Sequence, residues 1–492
     1  MATEIELKLR LEARHVRKLL AHPLLKGIAS QKQHLLNTYY DTPDLTLRQR
    51  RIALRLRKKG WEWLQTVKSA EPASGGLAIR SEWEVPATPG QFDFSHVDNA
   101  ELRNLLDAAH DQLEPIFTTD FRRQAWQIAC GDSLIEMALD RGKISAKESS
   151  TGICEVELEL ISGRVEDIFE LTRQLQQHVT LHPDVASKAE RGYRLFRNEP
   201  EQPFRAKPLP IHAEQSPVEA FRTIALGCLE HFQRNEAGLL AGGEPEFIHQ
   251  ARVALRRLRS AIKLFAPVLP ENFVAAYGQS WQTLAGALGE ARNWDVFLEE
   301  TLPPIARAFP HSHDIHRLQN EAKRRVKAAR RAITSLLRLK EYPRLMIEFT
   351  AAVHALSDTM GTPLKRFANE RIAAHTRSVR KLAERYDELD DEQRHIMRLR
   401  FKKLRYALEF MTPLLPSRQM KRYLETLSRL QEALGLINDQ VTARLLIDEA
   451  IAERQDSVAH GWVAGRQEIL VTHVPEMLEA WLKAGREQSG IE

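Results

Sequence analysis

Residues 4–8 read Glu4-Ile5-Glu6-Leu7-Lys8. Polar and apolar residues alternate, so a strand here sends Glu4, Glu6 and Lys8 to one face and Ile5 and Leu7 to the other. Taken alone, the motif describes a solvated strand face. Its neighbours change that reading. Alternating runs recur at Ile52–Lys58, Leu64–Lys68, Ile79–Val85, Leu134–Asp140 and Cys154–Leu160, all within the first 200 residues. Arg55 and Arg57 share one face, and Lys68 ends its run. Arg80, Glu82 and Glu84 share another face, as do Glu136 and Asp140, and Glu155, Glu157 and Glu159. Surface strands mix Thr, Ser and Gln with Lys and Glu; here carboxylate-rich strands are interleaved with Arg/Lys-rich ones. An open sheet would point these rows at water, whereas a closed barrel could point them into its own lumen. Helical stretches interrupt near Arg14–Ala21 and Val165–His178.

Such a lumen has a chemical meaning. Hard divalent cations take oxygen ligands, and Mg²⁺ is usually held by a few carboxylates together with substrate phosphates. Arg and Lys neutralise phosphate oxygens, Arg often with two parallel bonds. A wall carrying both classes suits a metal–polyphosphate complex. Crowded like charges need either such a ligand or pairing across the lumen. Structural salt bridges are the plainer alternative.

Between Asn198 and Pro217 lie five prolines, Pro200, Pro203, Pro208, Pro210 and Pro217, a density that marks a linker over 198–216. A helix begins cleanly after it. Ser216 suits the N-cap, Pro217 the first helical position, and Glu219 completes a capping box. From there the pattern is helical throughout and repeats at a shift of 146 residues. Pro217 falls on Pro363, Phe221 on Phe367, and Pro267 and Pro270 on Pro413 and Pro416. Leu284-x-x-Ala287-Leu288-Gly289 falls on Leu430-x-x-Ala433-Leu434-Gly435.

The same shift aligns two basic rows. His249, Arg252, Arg256 and Arg259 are spaced 3, 4 and 3 apart, and His395, Arg398, Lys402 and Arg405 match them. At about 100° per residue each row occupies a stripe roughly 80° wide. Two such helices could face each other across a groove that holds a chain of phosphates; a solvated basic face is the bland alternative. The histidines lack a partner at metal-ligand spacing, so hydrogen bonding to phosphate is the more natural role.

Composition agrees with a soluble two-part protein. Of 71 Lys+Arg and 66 Asp+Glu, residues 1–200 hold 28 and 29, so the basic surplus lies in the second part. No long apolar run suggests a membrane span. The opening Met1-Ala2-Thr3-Glu4 has no basic and apolar leader pattern. Cys130, Cys154 and Cys228 form neither a disulfide framework nor a zinc spacing, so buried thiols in a reducing cytoplasm are expected. Phosphate-loop, H-E-x-x-H and G-x-S-x-G motifs are absent.

The ordered series of residues resembles the CYTH, or triphosphate tunnel metalloenzyme, superfamily. It runs from Glu4-x-Glu6-x-Lys8 through Tyr39-Tyr40-Asp41-Thr42, Leu54-Arg55-Leu56-Arg57, Lys68 and Arg80-x-Glu82-x-Glu84. It continues through Arg123, Asp140, Glu155-x-Glu157-x-Glu159 and Ser187-Lys188-x-x-Arg191-Gly192-Tyr193. The resemblance covers roughly 1–197 and implies an eight-stranded antiparallel tunnel acting on triphosphates with Mg²⁺ or Mn²⁺. By that resemblance Glu4, Glu6, Asp140, Glu155 and Glu157 face metal, with Glu159 ambiguous. Lys8, Arg55, Arg57, Lys68, Arg80, Arg123 and Lys188 hold the triphosphate, Arg123 being chosen over Arg122 because it is in phase with Phe121. Glu4, Glu6 and Lys8 are then the expected catalytic centre. The second part resembles the CHAD domain, on the two basic rows and on Asn293-x-Asp295 and Asn438-Asp439. That resemblance implies an all-α domain of two repeated four-helix bundles that binds inorganic polyphosphate.

The expected organisation is therefore α+β and multidomain. A tunnel domain spans 1–197 and a helical domain 217–485, with repeats at about 217–345 and 363–485. The expected reaction is hydrolysis of inorganic triphosphate to diphosphate and phosphate. Alternatives on the same fold are a nucleotide or thiamine triphosphatase or an adenylyl cyclase, with Trp61, Trp63 and Trp83 as conceivable base-stacking residues. A polyphosphate-binding, granule-associated protein without catalysis is the alternative from another class. Nucleic acid is not an expected partner, because the basic helices lack interleaved aromatics.

Overall fold

A computed structural model of the protein describes residues 2–69, 73–358, 361–415, 417–451 and 457–489. Pro416 of the repeat lies outside them. The chain divides into two compact units, 1–202 with 338–355, and 203–337 with 356–492.

The first unit is built on strands β1 (Ala2–Arg10), β2 (Ser30–Asp41), β3 (Ile52–Lys59), β4 (Glu62–Ser69) and β5 (Leu77–Pro86), then β6 (Glu114–Cys130), β7 (Ser133–Ala146), β8 (Ser149–Ser162) and the two-residue β9 (His182–Pro183). They pair in the order β5-β4-β3-β2-β6-β7-β8-β1, and β1 also pairs with β5. The eight long strands therefore close an antiparallel barrel, and β9 pairs with β1 at Leu9↔Pro183 and Arg10↔His182.

The barrel is polar inside and apolar outside. Leu7 and Leu9 of β1, Ile135, Met137 and Leu139 of β7, and Val156 and Leu158 of β8 point outward. They are buried under Ile168, Phe169, Leu171 and Leu175 of the helix Val165–Gln176. Each fully buried Leu or Phe in this layer stabilises by about 1.5–3 kcal/mol. A second outer cluster packs Leu54, Val67 and Trp83 against Leu106 and Ala109 of the helix Ala100–Ala109. Alternation then forces the opposite face of the same strands, with its charges, into the lumen.

One helix of the first unit comes from far along the chain. The helix Glu341–His354 buries Ile347 in the cluster that holds Leu7 and Leu9. The boundary of the first helical repeat, expected near residue 345, thus falls inside a segment whose apolar face is buried with the barrel.

In the second unit the helix Pro217–Leu240 opens with the expected capping box of Ser216 and Glu219. The helix Pro245–Phe265 recurs 146 residues later as Asp391–Met411, with both ends in register. Beyond them the copies diverge. The first has Glu271–Ser280, Gln282–Val296 and, after the π-helical turn Phe297–Thr301, Leu302–Ala308, where the second has the single helix Ser417–Ala450. The first then has one helix, His313–Arg338, where the second has Val458–Val471 and Val474–Ser489. Among the described residues, no helix is long and apolar enough to cross a membrane.

Candidate active site

The lumen holds a cavity of about 580 Å³ lined by eight Lys or Arg and seven Glu side chains. Strand alternation delivers most of them. β1 contributes Glu4, Glu6 and Lys8; β3 Arg55, Arg57 and Lys59; β5 Arg80, Glu82 and Glu84; and β8 Glu157 and Glu159. Lys68 enters from β4, Arg123 from β6 and Glu136 from β7. Arg122, next to Arg123, is exposed.

Lys188 is not on a strand. It is the first residue of the helix Lys188–Arg197, whose N-cap Ser187 accepts from the Glu190 N–H. This helix has reasons to sit where it does. A Cβ on Gly192 would come within 2.2 Å of the Phe117 ring, so only glycine lets it approach β6. The next residue, Tyr193, donates its phenol to Asp41 at 2.8 Å. Asp41 is wholly buried and also accepts from the N–H groups of Thr42, Leu47 and Arg48. The Tyr39–Thr42 and Ser187–Tyr193 motifs are thus two halves of one scaffold that carries Lys188 into the lumen.

Beneath the cavity lies a neutralised cluster. The Lys188 ammonium is 2.7 Å from Asp140, 2.5 Å from Glu155 and 2.7 Å from Glu157. Arg123 grips Asp140 with two bonds at 2.8 and 2.7 Å and also bonds Glu157. Arg191 bonds Glu155. Asp140, Glu155 and Glu157 have carboxylate oxygens within 4.8 Å of one another. Asp140 and Glu155 are buried and do not line the cavity, whereas Glu157 does. Burial alone would raise the Glu157 carboxyl, but Lys188 and Arg123 outweigh it and hold it well below the ordinary range.

The opposite situation holds beside β1. Burial, reinforced by Glu157, raises the Glu6 carboxyl, and one of its buried oxygens lacks a hydrogen-bond donor. Burial, then Glu4, pushes Glu159 up to about 7, with Glu136 and Glu6 adding to the repulsion. Lys68 meets Glu4 at 2.8 Å and Glu82 at 3.1 Å. Glu6 and Glu159 are thus short of positive charge, which is the condition a divalent cation relieves.

The basic wall is short of acceptors. The buried Nε atoms of Arg55 and Arg80 lack hydrogen-bond partners. Arg55 stands 3.6 Å from Glu82, and Arg57 stands 3.6 Å from Glu84 while donating to Asn37 at 2.9 Å. Burial and the neighbouring Arg55 bring Arg57 down to about 10. Glu136, Glu82 and Glu84 belong to this lining and were signalled by their phase. Lys59 is missed by the sequence reading, although it shares the phase of Arg55 and Arg57, and Arg191 enters it only as a member of the Ser187–Tyr193 motif with no role of its own.

A second cavity, of about 370 Å³, lies between the two repeats of the helical unit. His249, Arg252 and Arg256 line it from one copy, and Arg398, Lys402 and Arg405 from the other. Arg259 and His395 fall outside its lining. Arg292, Asn438 and Asp439 complete it from the following helices. Burial and then Arg398 bring Lys402 down to about 7, and burial and then Arg256 bring Arg252 to about 10. The buried Nε atoms of Arg256 and Arg398 lack partners.

Family models decide what the two halves are. Residues 2–193 match the CYTH domain, and residues 223–448 match the CHAD domain. The chain is a CYTH domain followed by a CHAD domain. An inorganic triphosphatase of Haemophilus influenzae is 37% identical over 200 residues, a match that covers 40% of this chain and 55% of that protein. A crystal structure of the CHAD domain of the plant Ricinus communis is 32% identical, with 57% of this chain and 98% of that one covered and a TM-score of 0.49. A Hippeastrum protein assigned as an adenylyl cyclase, with a dominant triphosphatase activity, is 21% identical, with 41% and 98% covered and a TM-score of 0.30. The cavities of the CYTH and CHAD domains are the two basic sites described above.

Proposed function

We propose that the CYTH barrel hydrolyses inorganic triphosphate to diphosphate and phosphate with a divalent cation, Mg²⁺ or Mn²⁺, and that the CHAD unit binds polyphosphate. The observation that carries the first part is the division of the lumen. Carboxylates crowded without enough cations face guanidinium groups without enough acceptors, and a metal–triphosphate complex satisfies both.

In this reading Arg55, Arg57, Arg80 and Arg123 fix the phosphate oxygens by charge-assisted bonds, with Lys8, Lys68 and Lys188 as point charges. Glu4 and Glu6, with Asp140, Glu155 and Glu157, whose carboxylate oxygens lie within 4.8 Å of one another, would hold the cation, and Glu159 stands beside them. That ion would neutralise phosphate charge and acidify a bound water. Asp140 and Glu155, one layer below the lining, also hold Lys188, Arg123 and Arg191. Preorganised charge of this kind is the main source of rate in phosphoryl transfer, where little covalent work falls to the protein. The carboxylate cluster also offers the acceptor for the proton that an attacking water releases.

The lining favours a bare phosphate chain over a nucleoside. Its aromatic residues, Tyr39 and Phe121, are buried and already covered: Tyr39 stacks on Phe117 at 4.4 Å, and Lys188 and Arg123 lie over Phe121 at 5.1 and 5.9 Å. Trp83 is buried and donates to Asp98 at 2.9 Å.

The test is phosphate release from tripolyphosphate, ATP, thiamine triphosphate and long-chain polyphosphate, with Mg²⁺, Mn²⁺ or no metal. Tripolyphosphate should be preferred and metal required. Glu6→Ala and Lys8→Ala should each abolish turnover in a folded protein; undiminished rates in either sink the assignment. Cyclic AMP formation would support a cyclase, and inactivity everywhere a binding protein. For the CHAD unit, Arg252→Glu with Arg398→Glu in the full chain should remove retention on immobilised polyphosphate, and unchanged retention would place binding elsewhere.

A further inference from the structure

The helix Glu341–His354 lies in sequence between the two CHAD repeats but folds within the barrel unit. It reaches the active-site strand by three routes. Ile347 packs in the cluster that contains Leu7, Leu9 and Leu181. Arg344 donates to the Gln176 carbonyl at 2.9 Å, and Gln176 donates to the Leu181 carbonyl at 2.8 Å, one residue before β9. Thr350 is wholly buried and donates to the Met346 carbonyl at 2.8 Å. The same Thr350 hydroxyl lies 1.9 Å from where a Cβ on Gly75 would stand, so this backbone turn is pressed against the helix.

The turn matters because of what it holds. At Leu7↔Leu77 the β1–β5 ladder ends. The next residue, Lys8, gives its N–H to the Gly76 carbonyl at 2.9 Å, and its carbonyl accepts from the Asp184 N–H at 2.9 Å. Gly75 and Gly76 both have positive φ, and a Cβ on Gly76 would come within 2.7 Å of the Lys8 carbonyl oxygen. Lys8 is therefore held along one strand edge by both the Gly75–Gly76 turn and the segment after β9, while β8 pairs with its other edge at Lys8↔Glu157. The helix Glu341–His354 backs both.

We propose that this helix is a positioning element for Lys8: Thr350 and Arg344 hold the two backbone clamps that aim the Lys8 ammonium into the lumen. The proposal rests on the reading of Lys8 as a phosphate-binding residue. It assigns to a segment between the CHAD repeats a share in the chemistry of the CYTH site.

The experiment uses the full chain. Thr350→Leu pushes the Gly75 turn, Thr350→Ser keeps the hydroxyl as the conservative control, and Arg344→Ala cuts the second route. Displacing a binding group by about 1 Å can cost about a hundredfold in rate. Thr350→Leu should therefore lower kcat/KM for Mg²⁺–tripolyphosphate by roughly ten- to a hundredfold. Thr350→Ser should stay within about twofold of the parent and Arg344→Ala should lose a few-fold. The decisive readout is a double-mutant cycle, because groups acting through one another are non-additive. In a Lys8→Ala background, where turnover is gone and substrate affinity is the readout, Thr350→Leu and Arg344→Ala should cause no further loss of tripolyphosphate binding. The same cycle is read in tripolyphosphate affinity by calorimetry, which needs no turnover. Equal fold-losses with and without Lys8, or no loss in either variant, overturn the proposal. Should Thr350→Leu not fold, Arg344→Ala alone carries the cycle. A parent that binds tripolyphosphate with this coupling but hydrolyses nothing refutes the triphosphatase reading and leaves the positioning role standing.

Discussion

Replacing Lys188 by Met keeps the apolar stem and removes one buried positive charge from among three carboxylates. The geometry sets the size of the effect. The ammonium lies 2.5–2.7 Å from Asp140, Glu155 and Glu157, and their oxygens are within 4.8 Å of one another. At an effective dielectric constant of about 20, each such contact is worth roughly 6 kcal/mol before desolvation. Most of that is offset by the cost of burying the charges, and the net loss on breaking a buried pair from one side is about 3–5 kcal/mol. Arg123 and Arg191 remain to hold part of the cluster, so the lower end of that range is expected at pH 8. The sign with pH follows from Glu157. Its folded carboxyl sits well below the ordinary value of 4.5, so its contribution is present above that pH and is lost as pH falls through the folded value. In Lys188→Met the repelling carboxylates take up protons instead, so the deficit against the parent should be largest near pH 8 and shrink towards pH 4. Urea unfolding of both proteins at several pH values, without added metal, measures this directly. A Lys188→Met chain as stable as the parent at pH 8 refutes the reasoning, as does a deficit that grows on acidification.

Two further outcomes follow from other groups. Glu159, raised to about 7 by burial and by Glu4, destabilises the fold as pH rises from its ordinary range through that value, where it must charge. Glu159→Gln should therefore raise the melting temperature of the metal-free chain at pH 8 while lowering metal-dependent turnover, and a variant that melts earlier than the parent speaks against the carboxylate crowding. Lys402, at about 7, binds anions only when protonated, so polyphosphate affinity should fall between pH 6 and pH 8 with proton uptake on binding. Lys402→Arg should flatten that pH dependence, and a slope that persists unchanged would move the titrating group elsewhere.

Much of the barrel is legible in the sequence because alternation is a local property. Glu4, Glu6, Lys8, Arg55, Arg57, Arg80, Glu157 and Glu159 share the lumen because each is in phase with its neighbours two residues away. Strands β2 and β6 are harder to see. Along β6, Phe117 and Phe121 pack in the apolar cluster around Tyr193, while Arg123 and Ala125 on the same face line the cavity. One face thus passes from apolar to charged within a single strand and blurs the period. Phase also does not report depth. Asp140 is in phase with Glu136, and Glu155 with Glu157, yet the first of each pair lies below the lining, where the helix Lys188–Arg197 supplies its counter-charge. Nothing local to Glu341–His354 shows whose core it completes, since an amphipathic helix fits either unit equally well by pattern.

The helical repeat shows what such symmetry does and does not decide. The two basic rows superpose at a shift of 146 residues, and both contribute to one cavity. The third wall breaks the pairing. Where one copy has Arg292 and Asn293, the other has Asn438 and Asp439. Burial, then Glu300, raises the Asp439 carboxyl, although Arg252, Arg398 and Arg292 pull it the other way. Asp439 is therefore a partial counter-ion, and burial followed by Arg398, Arg256 and Arg252 outweighs it and depresses Lys402. The lining sets Arg252, Arg256, Arg292, Arg398, Lys402 and Arg405 against two carboxylates, Glu432 and Asp439, an excess of positive charge that costs stability until an anion fills the cavity.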